Sequence, residues 1–217
     1  MLLVIMLAGV LEAQPAPDLA GSYFHFSLAK MHHLREDYGA AVAEFEKALA
    51  SDPESSSIRT EMARALVQLD EIQRAVELCQ QAVEIAPSET EPRLVLGQIF
   101  YSNRRQGMRE KALEQFNSVL EIDPGHEEAL QRAAELHYEQ REYGKAAELF
   151  AQLRRQDPSM IRTYYFEAQA LIERGEVDRA IEILEQGLDV RDDIPDYLTL
   201  LAGLHRRVGN LEQAEQV

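Results

Sequence analysis

Apolar residues recur along this chain at helical spacing, in pairs of short segments separated by a few polar residues. The segment 39–51, GAAVAEFEKALAS, places four of them on one helical face: Ala41, Phe45, Ala48 and Leu49. The segment 23–36, YFHFSLAKMHHLRE, precedes it and has a similar length. Because Val, Ile and Thr never gather into alternating runs, the pattern predicts an all-α chain built from helix pairs.

The helix pair returns along the chain, and a proline marks the end of each second helix. Successive prolines lie 34, 37 and 34 residues apart, at Pro53, Pro87, Pro124 and Pro158. The three extra residues of the longer interval fall within 101–112. A fixed period of this length predicts stacked repeats, because one helix pair cannot bury its apolar face alone.

Numbering each unit so that its proline is position 32 brings small and large residues into register. Position 8 is small in every complete unit: Ala29, Ala63, Gly97, Ala134 and Ala168. Position 20 is alanine: Ala41, Ala75, Ala112, Ala146 and Ala180. Position 24 is larger: Phe45, Cys79, Phe116, Phe150 and Leu184. The predicted units are 22–55, 56–89, 90–126, 127–160, 161–194 and an incomplete 195–217.

This register resembles the tetratricopeptide repeat family, whose pattern has small residues at positions 8 and 20, a large residue at 24 and proline at 32. The resemblance covers residues 22–217. It implies an all-α fold, a right-handed α-solenoid of tandem helix-turn-helix repeats, with five complete units and part of a sixth. The family binds other proteins, so a protein-protein interaction scaffold or adaptor is the expected function.

In proteins of this family, the first helices line a concave groove, with positions 2, 5, 9 and 12 pointing inward. By this resemblance, the predicted partner-binding residues are Tyr23, Phe26, Lys30, His33, Thr60, Arg64, Val67, Leu94, Gln98, Tyr101, Gln131, Glu135, Tyr138, Tyr165, Gln169 and Ile172. Aromatic residues flanked by polar groups suit capture of a peptide or protein segment. The tyrosines could equally close gaps between adjacent first helices, and the sequence leaves both roles open.

Charge narrows the class of partner. Lys and Arg number 22 against 38 Asp and Glu, so the formal net charge is −16. Nucleic-acid binding, which needs a basic face, is therefore not expected. Within the predicted groove, Lys30 and Arg64 come early and Glu128, Glu135 and Glu139 come later. We expect charge reversal at Lys30 and Arg64 to weaken a partner bound to the early part of the groove.

Residue types that carry catalysis or bind metals do not form a recognisable site here. The sequence has no Gly-rich phosphate loop, no G-x-S-x-G elbow and no H-E-x-x-H motif. Cys79, the single cysteine, takes the place of the core phenylalanines of other units. His32 shares position 11 with His137 and His205, which packing explains better than a metal. We therefore predict no enzyme activity, no cofactor and no metal.

The N-terminal residues differ in kind from the repeats. Residues 2–11, LLVIMLAGVL, are ten apolar residues without a charge, too short to span a bilayer at about 20 residues. They have the length of the apolar part of a signal peptide, with possible cleavage after Ala13, although no Lys or Arg precedes them. Residues 1–13 are thus a predicted signal peptide and 14–21 a linker. The expected location is the periplasm or cell envelope, and the alternative is cytoplasmic.

The C-terminal end allows two further hypotheses. The sixth unit stops before position 24, so the chain could be the substrate-docking region of a longer enzyme, such as a transferase, truncated at Val217. Alternatively, the uncapped end could self-associate through Leu198, Leu201 and Leu204, which we expect to be exposed.

Overall fold

The computed structural model describes residues 18–103 and 106–216. It holds twelve helices there: α1 (Leu19–Leu34), α2 (Tyr38–Ser51), α3 (Ser56–Gln68), α4 (Ile72–Ile85), α5 (Glu91–Ser102), α6 (Gln106–Ile122), α7 (Glu127–Glu139), α8 (Tyr143–Gln156), α9 (Ile161–Glu173), α10 (Val177–Val190), α11 (Pro195–Val208) and α12 (Leu211–Gln216). No strand occurs in those two ranges. The prediction of an all-α array of tandem helix pairs is confirmed.

Contacts divide the chain into two compact units, each larger than a repeat: Met1–Leu78 and Cys79–Val217. In the first, α1 packs on α2 and α2 on α3. In the second, each helix from α5 to α12 packs on the next one along the chain. The predicted signal peptide, residues 1–13, lies outside the described residues. Helix α1 begins at Leu19, inside the segment predicted to be a linker.

The repeat register predicts the core correctly. The small residues at positions 8 and 20 and the larger residues at position 24 are buried in all five complete units. Gly97, at position 8, lies so close to α6 that an added Cβ would come within 2.6 Å of Phe116 Cε1. Small residues at this position therefore let the two helices of a pair approach closely. Cys79 is also buried, as its place in the register predicts.

The turn between the two helices of a pair has a shared backbone conformation. Position 15 has a positive φ in five units: Glu36 (60°), Asp70 (61°), Arg141 (62°), Gly175 (81°) and Gly209 (86°). A left-handed residue ends a helix by letting the chain reverse, and only glycine adopts it without strain. Three units thus make this turn with residues that have a side chain.

At the C-terminal end, the prediction that three leucines are exposed is wrong for two of them. Leu201 and Leu204 are buried in the core that α9, α10 and α11 share, and Leu198 is half-buried. They are covered because they occupy the side of α11 that packs on α10. Leu211, on α12, is exposed instead.

Candidate partner-binding surface

In the first unit, the predicted groove residues of α1 differ in how far they reach solvent. Tyr23 is 69% exposed. Phe26 is half-buried, with its ring edge-on to Phe45 at 5.8 Å. Together with Leu19, Ile58 and four polar side chains, these two rings line a small cleft of about 110 Å³. The cleft is large enough for a few solvent molecules or a small side chain.

Helix α3 contributes less surface than predicted. Thr60 is 2% exposed, and its hydroxyl donates to the Ser56 carbonyl at 2.9 Å. It therefore lies in the core and not on the groove surface, because its hydroxyl is satisfied by its own helix. Val67 and Arg64 are half-buried.

The early positive charges of the groove are paired. Lys30 Nζ lies 2.5 Å from Glu61 Oε2, and Arg64 Nε lies 4.0 Å from Glu61 Oε1. Burial lowers the pKa of His33, Lys30 and Arg64 lower it further, and Glu61 opposes them. The buried His33 Nδ1 has no hydrogen-bond partner among the described residues. Glu61 thus offsets part of the positive charge that the sequence predicts here.

In the compact unit Cys79–Val217, predicted groove residues of α5 and α7 form hydrogen bonds with each other. Gln98 Nε2 donates to Glu128 Oε1 at 2.8 Å, and Tyr101 Oη donates to Glu135 Oε2 at 2.9 Å. Gln131 also donates to Glu135, at 2.9 Å. These side chains close the gap between two successive first helices, which is the second of the two roles that the sequence left open.

Three side chains pack around the Tyr101 ring. The Arg109 guanidinium lies 4.5 Å from the ring centroid, and the Arg132 guanidinium lies 4.8 Å from it. The Phe116 ring packs edge-on at 6.4 Å. Leu94, also predicted for the groove, is buried in the core of α5, α6 and α7 because its side chain packs with Phe116. Neither Tyr101 nor Leu94 is therefore free to anchor a partner by itself.

Helices α7 and α9 present a more open patch. Tyr138, Gln169 and Ile172 are half-buried there, and the Tyr138 ring packs edge-on to Tyr143 at 5.2 Å. Burial raises the pKa of Tyr138, and nearby Glu173, Tyr143 and Tyr165 raise it further. The Tyr138 phenol therefore stays neutral at physiological pH and can both donate and accept a hydrogen bond.

A large cleft of the compact unit Cys79–Val217 lies where α9 and α11 begin. It has a volume of about 670 Å³. Apolar and aromatic side chains form most of its lining: Met160, Ile161, Tyr165, Phe166, Ile194 and Tyr197. Arg162, Arg191 and Asp196 also line it. We call this the α9–α11 cleft.

Hydrogen bonds and ring stacking fix the wall of the α9–α11 cleft. The Tyr197 ring stacks on Tyr165 at 5.9 Å, with the ring planes 23° apart. Tyr197 Oη donates to the Ile161 carbonyl and accepts from the Tyr165 amide at 3.1 Å. The Arg162 guanidinium lies 5.6 Å from the Phe166 ring centroid. The cleft is therefore preorganised, with its aromatic rings held in place before a ligand arrives.

The inward positions of the fifth repeat predicted two residues of this cleft, Arg162 at position 2 and Tyr165 at position 5, and missed Phe166, Ile194 and Tyr197. These three lie at position 6 of the fifth unit, at the loop before α11, and at position 3 of the sixth unit. Phe166 and Tyr197 are aromatic residues of first helices, and that composition is the signal that could have found them. Positions 2, 5, 9 and 12 alone describe the groove too narrowly.

Among residues 18–103 and 106–216, no group of three or more His, Cys, Asp and Glu could hold a metal ion. Over the same residues, none of the helices combines the length and the apolar character needed to cross a membrane.

Comparison with known proteins places the chain among repeat proteins. Tetratricopeptide repeat protein 21 homolog of Caenorhabditis briggsae is 24% identical over 179 residues, which is 76% of this chain. The matched region spans only 13% of that much longer relative.

Solved structures agree in fold. The crystal structure of MamA superposes with a TM-score of 0.69 at 16% identity, covering 79% of this chain and 92% of MamA. That of YrrB, described as a TPR protein with an unusual peptide-binding site, has a TM-score of 0.65 at 17% identity. It covers 81% of this chain and 89% of YrrB. A model of the tetratricopeptide repeat matches residues 33–101, 104–159 and 137–204. The chain therefore belongs to the tetratricopeptide repeat family, as its sequence register predicts.

Proposed function

We propose that this protein is a scaffold or adaptor that binds a segment of another protein along its first helices. The α9–α11 cleft holds one apolar side chain of that segment. Membership of a family of interaction modules supports the general class of function. The similarity to YrrB, whose printed description names a peptide-binding site, agrees with it.

The α9–α11 cleft is the observation that carries this proposal. Its volume of about 670 Å³ falls within the range of about 300–1,000 Å³ that is usual for ligand sites. Binding energy at protein interfaces concentrates on a few aromatic and arginine side chains in well-packed pockets. The cleft has such a composition, with Tyr165, Phe166 and Arg162 at its surface.

Polar groups next to the cleft can bond the backbone of a bound segment. Gln169 is one helical turn beyond Tyr165 on α9 and is half-buried. Tyr138, on the neighbouring first helix, contributes a neutral hydroxyl. An extended or helical segment that places an apolar side chain in the cleft would bring its amides towards these two side chains.

A peptide selection with matched variants tests this proposal. The full chain is immobilised, random peptides displayed on phage are selected, and enriched peptides are titrated by fluorescence anisotropy. Tyr165→Ala and Arg162→Glu should each weaken binding by about tenfold, which is about 1.4 kcal/mol. Arg207→Glu, an exposed arginine in the last turn of α11, is the charge-matched control and should bind as the wild type does.

Two results would overturn the proposal. One is that no peptide is enriched. The other is that enriched peptides bind the cleft variants and the control equally well. Since Tyr165 also supports Tyr197, circular dichroism of each variant should verify that the helices are intact. The exposed Arg162 provides a second variant that does not depend on packing.

We further propose export to the periplasm or cell envelope, which rests on the composition of residues 1–13 alone. The intact mass and terminal peptides of the native protein test it, because cleavage after Ala13 removes those residues. The same measurement tests the alternative of a docking region in a longer enzyme. A mass well above the 24.6 kDa of this chain would favour that alternative.

A further inference from the structure

Helix α1 exposes apolar side chains at repeat positions that every later unit buries. At position 3, Phe24 is 63% exposed. Its counterparts are all buried: Ile58, Pro92, Ala129, Thr163 and Tyr197. At position 10, Met31 is 37% exposed, and its counterparts are again buried: Ala65, Ile99, Leu136, Ala170 and Leu204. The first repeat thus keeps apolar residues that the described part of the chain leaves exposed.

The later units show what kind of element covers these positions. In the fourth repeat, Ala129 and Leu136 of α7 share a core with Phe116 and Val119 of the preceding helix α6. In the compact unit Met1–Leu78, α3 packs on α2. In both cases the first helix of a repeat is covered by the helix that precedes it. We infer that the natural cover of α1 is a helix too.

The exposed residues of α1 form one continuous stripe along the helix. They follow helical spacing: Ala20, Phe24, Ser27, Met31 and Leu34. All five are exposed, and Leu34 is 82% exposed. We call this set the α1 stripe. The stripe contains none of the predicted groove residues of α1, such as Phe26 and Lys30, which lie beside it.

The charge of α1 favours a second copy of this chain as the partner. Among the twelve described helices, only α1 contains no Asp or Glu. Two copies of a protein with a net charge of −16 repel each other over most of their surfaces. The repulsion is weakest where carboxylates are absent, and Lys30 is already paired with Glu61. The α1 stripe is uncharged and therefore the surface best suited to self-association.

The residue order suits an antiparallel pair of α1 helices. Phe24 and Met31 lie at equal distances from the midpoint between Ser27 and Leu28. An antiparallel crossing at that midpoint places Phe24 of each copy against Met31 of the other. Ser27 is small and lets the two helix backbones approach closely at the crossing. A large side chain then meets a large one on each side of it.

We propose that two copies of this protein associate through the α1 stripe in an antiparallel, two-fold symmetric pair. A 16-residue helix is about 24 Å long, so one face of it buries less than the roughly 800 Å² per partner of a standard stable interface. The dimer is therefore weak and forms in a concentration-dependent way. The α1 stripe and the α9–α11 cleft share no residue.

Sedimentation velocity of the full chain over a range of concentrations tests the pair. The wild type should shift from monomer to dimer as concentration rises. The double variant Phe24→Glu/Met31→Glu should raise the midpoint concentration by at least about tenfold, which is about 1.4 kcal/mol. The matched control is Val190→Glu/Leu211→Glu, which adds the same charge at two exposed apolar residues of the second unit and should dimerise as the wild type does.

Cysteine cross-linking tests the geometry independently. In the antiparallel pair, two Ser27→Cys side chains meet at the crossing and should form a disulfide-linked dimer under mild oxidation. Thr199→Cys, exposed on α11, should remain monomeric under the same conditions. The native Cys79 is buried and does not interfere.

Three outcomes overturn the proposal. A wild type that stays monomeric at all concentrations does so, and hydrogen exchange of α1 then distinguishes a stripe covered by the chain's own N-terminal residues from an open one. A dimer that survives Phe24→Glu/Met31→Glu unchanged does so as well. The third is a dimer that Val190→Glu/Leu211→Glu weakens as much as Phe24→Glu/Met31→Glu does, because association would then involve the compact unit Cys79–Val217.

Discussion

Tyr101 donates a hydrogen bond from its hydroxyl to Glu135 Oε2, at 2.9 Å, and thereby joins two successive first helices. Both residues belong to the predicted groove, and they lie 34 residues apart, at position 12 of one repeat and position 9 of the next. A side chain that seemed available to a partner is therefore part of the packing between repeats. Its contribution to stability can be measured.

We predict that Tyr101→Phe lowers the free energy of unfolding by about 1 kcal/mol, since it removes one hydrogen bond to a charged, half-buried acceptor. Urea denaturation followed by circular dichroism measures this loss. Tyr138→Phe is the matched control, because no described residue accepts a hydrogen bond from the Tyr138 hydroxyl. An equal loss in both variants would contradict the role assigned to Tyr101.

The second prediction concerns an ion pair between α8 and α9 whose carboxylate is buried. Glu167 on α9 is 3% exposed and accepts from Arg154 Nε at 2.7 Å and from Arg154 Nη2 at 3.4 Å. Arg154→Met leaves that carboxylate buried without its partner, so we expect a loss of about 3–5 kcal/mol. Differential scanning calorimetry should show a correspondingly lower melting temperature.

The neighbouring arginine supplies the control for that experiment. Arg155 is exposed, and Arg155→Met should change stability by less than about 0.5 kcal/mol. The double variant Arg154→Met/Glu167→Met should recover much of the lost stability, because it removes the buried carboxylate together with its partner. If Arg154→Met melts where Arg155→Met does, the pair does not stabilise the fold.

The third prediction contrasts two glycines within helices, Gly97 on α5 and Gly203 on α11. At Gly97, an added Cβ would lie 2.6 Å from the Phe116 ring, so Gly97→Ala should destabilise the protein by about 1–3 kcal/mol. At Gly203, nothing lies within 4 Å of an added Cβ. Gly203→Ala should therefore stabilise it by about 0.5–1 kcal/mol, through higher helix propensity. Chemical denaturation of both variants checks the opposite signs, and two changes of the same sign would refute the argument.

The fold could be predicted from the sequence because its register depends on short-range features. Alanine or glycine at position 8, alanine at position 20 and a larger residue at position 24 recur within each unit, so five copies reinforce one another. The turn geometry at position 15 could be inferred only where glycine occurs, at Gly175 and Gly209. Glu36, Asp70 and Arg141 adopt the same conformation without a sequence signal for it.

The candidate site was harder to predict because exposure depends on the neighbouring unit. Leu94 is buried because it shares a core with Phe116, and Thr60 tolerates burial because its hydroxyl bonds within its own helix. The partner of Tyr101 lies a full repeat away, where a pattern of inward positions gives no information on side-chain pairing. Tyr197 belongs to the incomplete sixth unit, for which no groove residues were predicted.

The last prediction concerns pH and the wall of the α9–α11 cleft. Burial raises the pKa of Tyr197 from the ordinary value of 10.0 to about 12. Between these two pH values the folded chain keeps a proton that the unfolded chain releases, so folded stability falls as pH rises through this range. Below about pH 10 the phenol is neutral in both states and contributes no pH dependence. Urea denaturation at a series of alkaline pH values should show this fall.

Tyr197→Phe separates the titration of this residue from general alkaline unfolding. The variant loses the hydrogen bonds to the Ile161 carbonyl and the Tyr165 amide, so it should be less stable than the wild type at neutral pH by about 1–3 kcal/mol. Its stability should then decline less steeply between pH 10 and 12. Tyr23→Phe, at an exposed tyrosine of the first unit, should follow the wild-type curve. If Tyr197→Phe declines as steeply as the wild type, the alkaline loss arises elsewhere and the buried phenol does not control it.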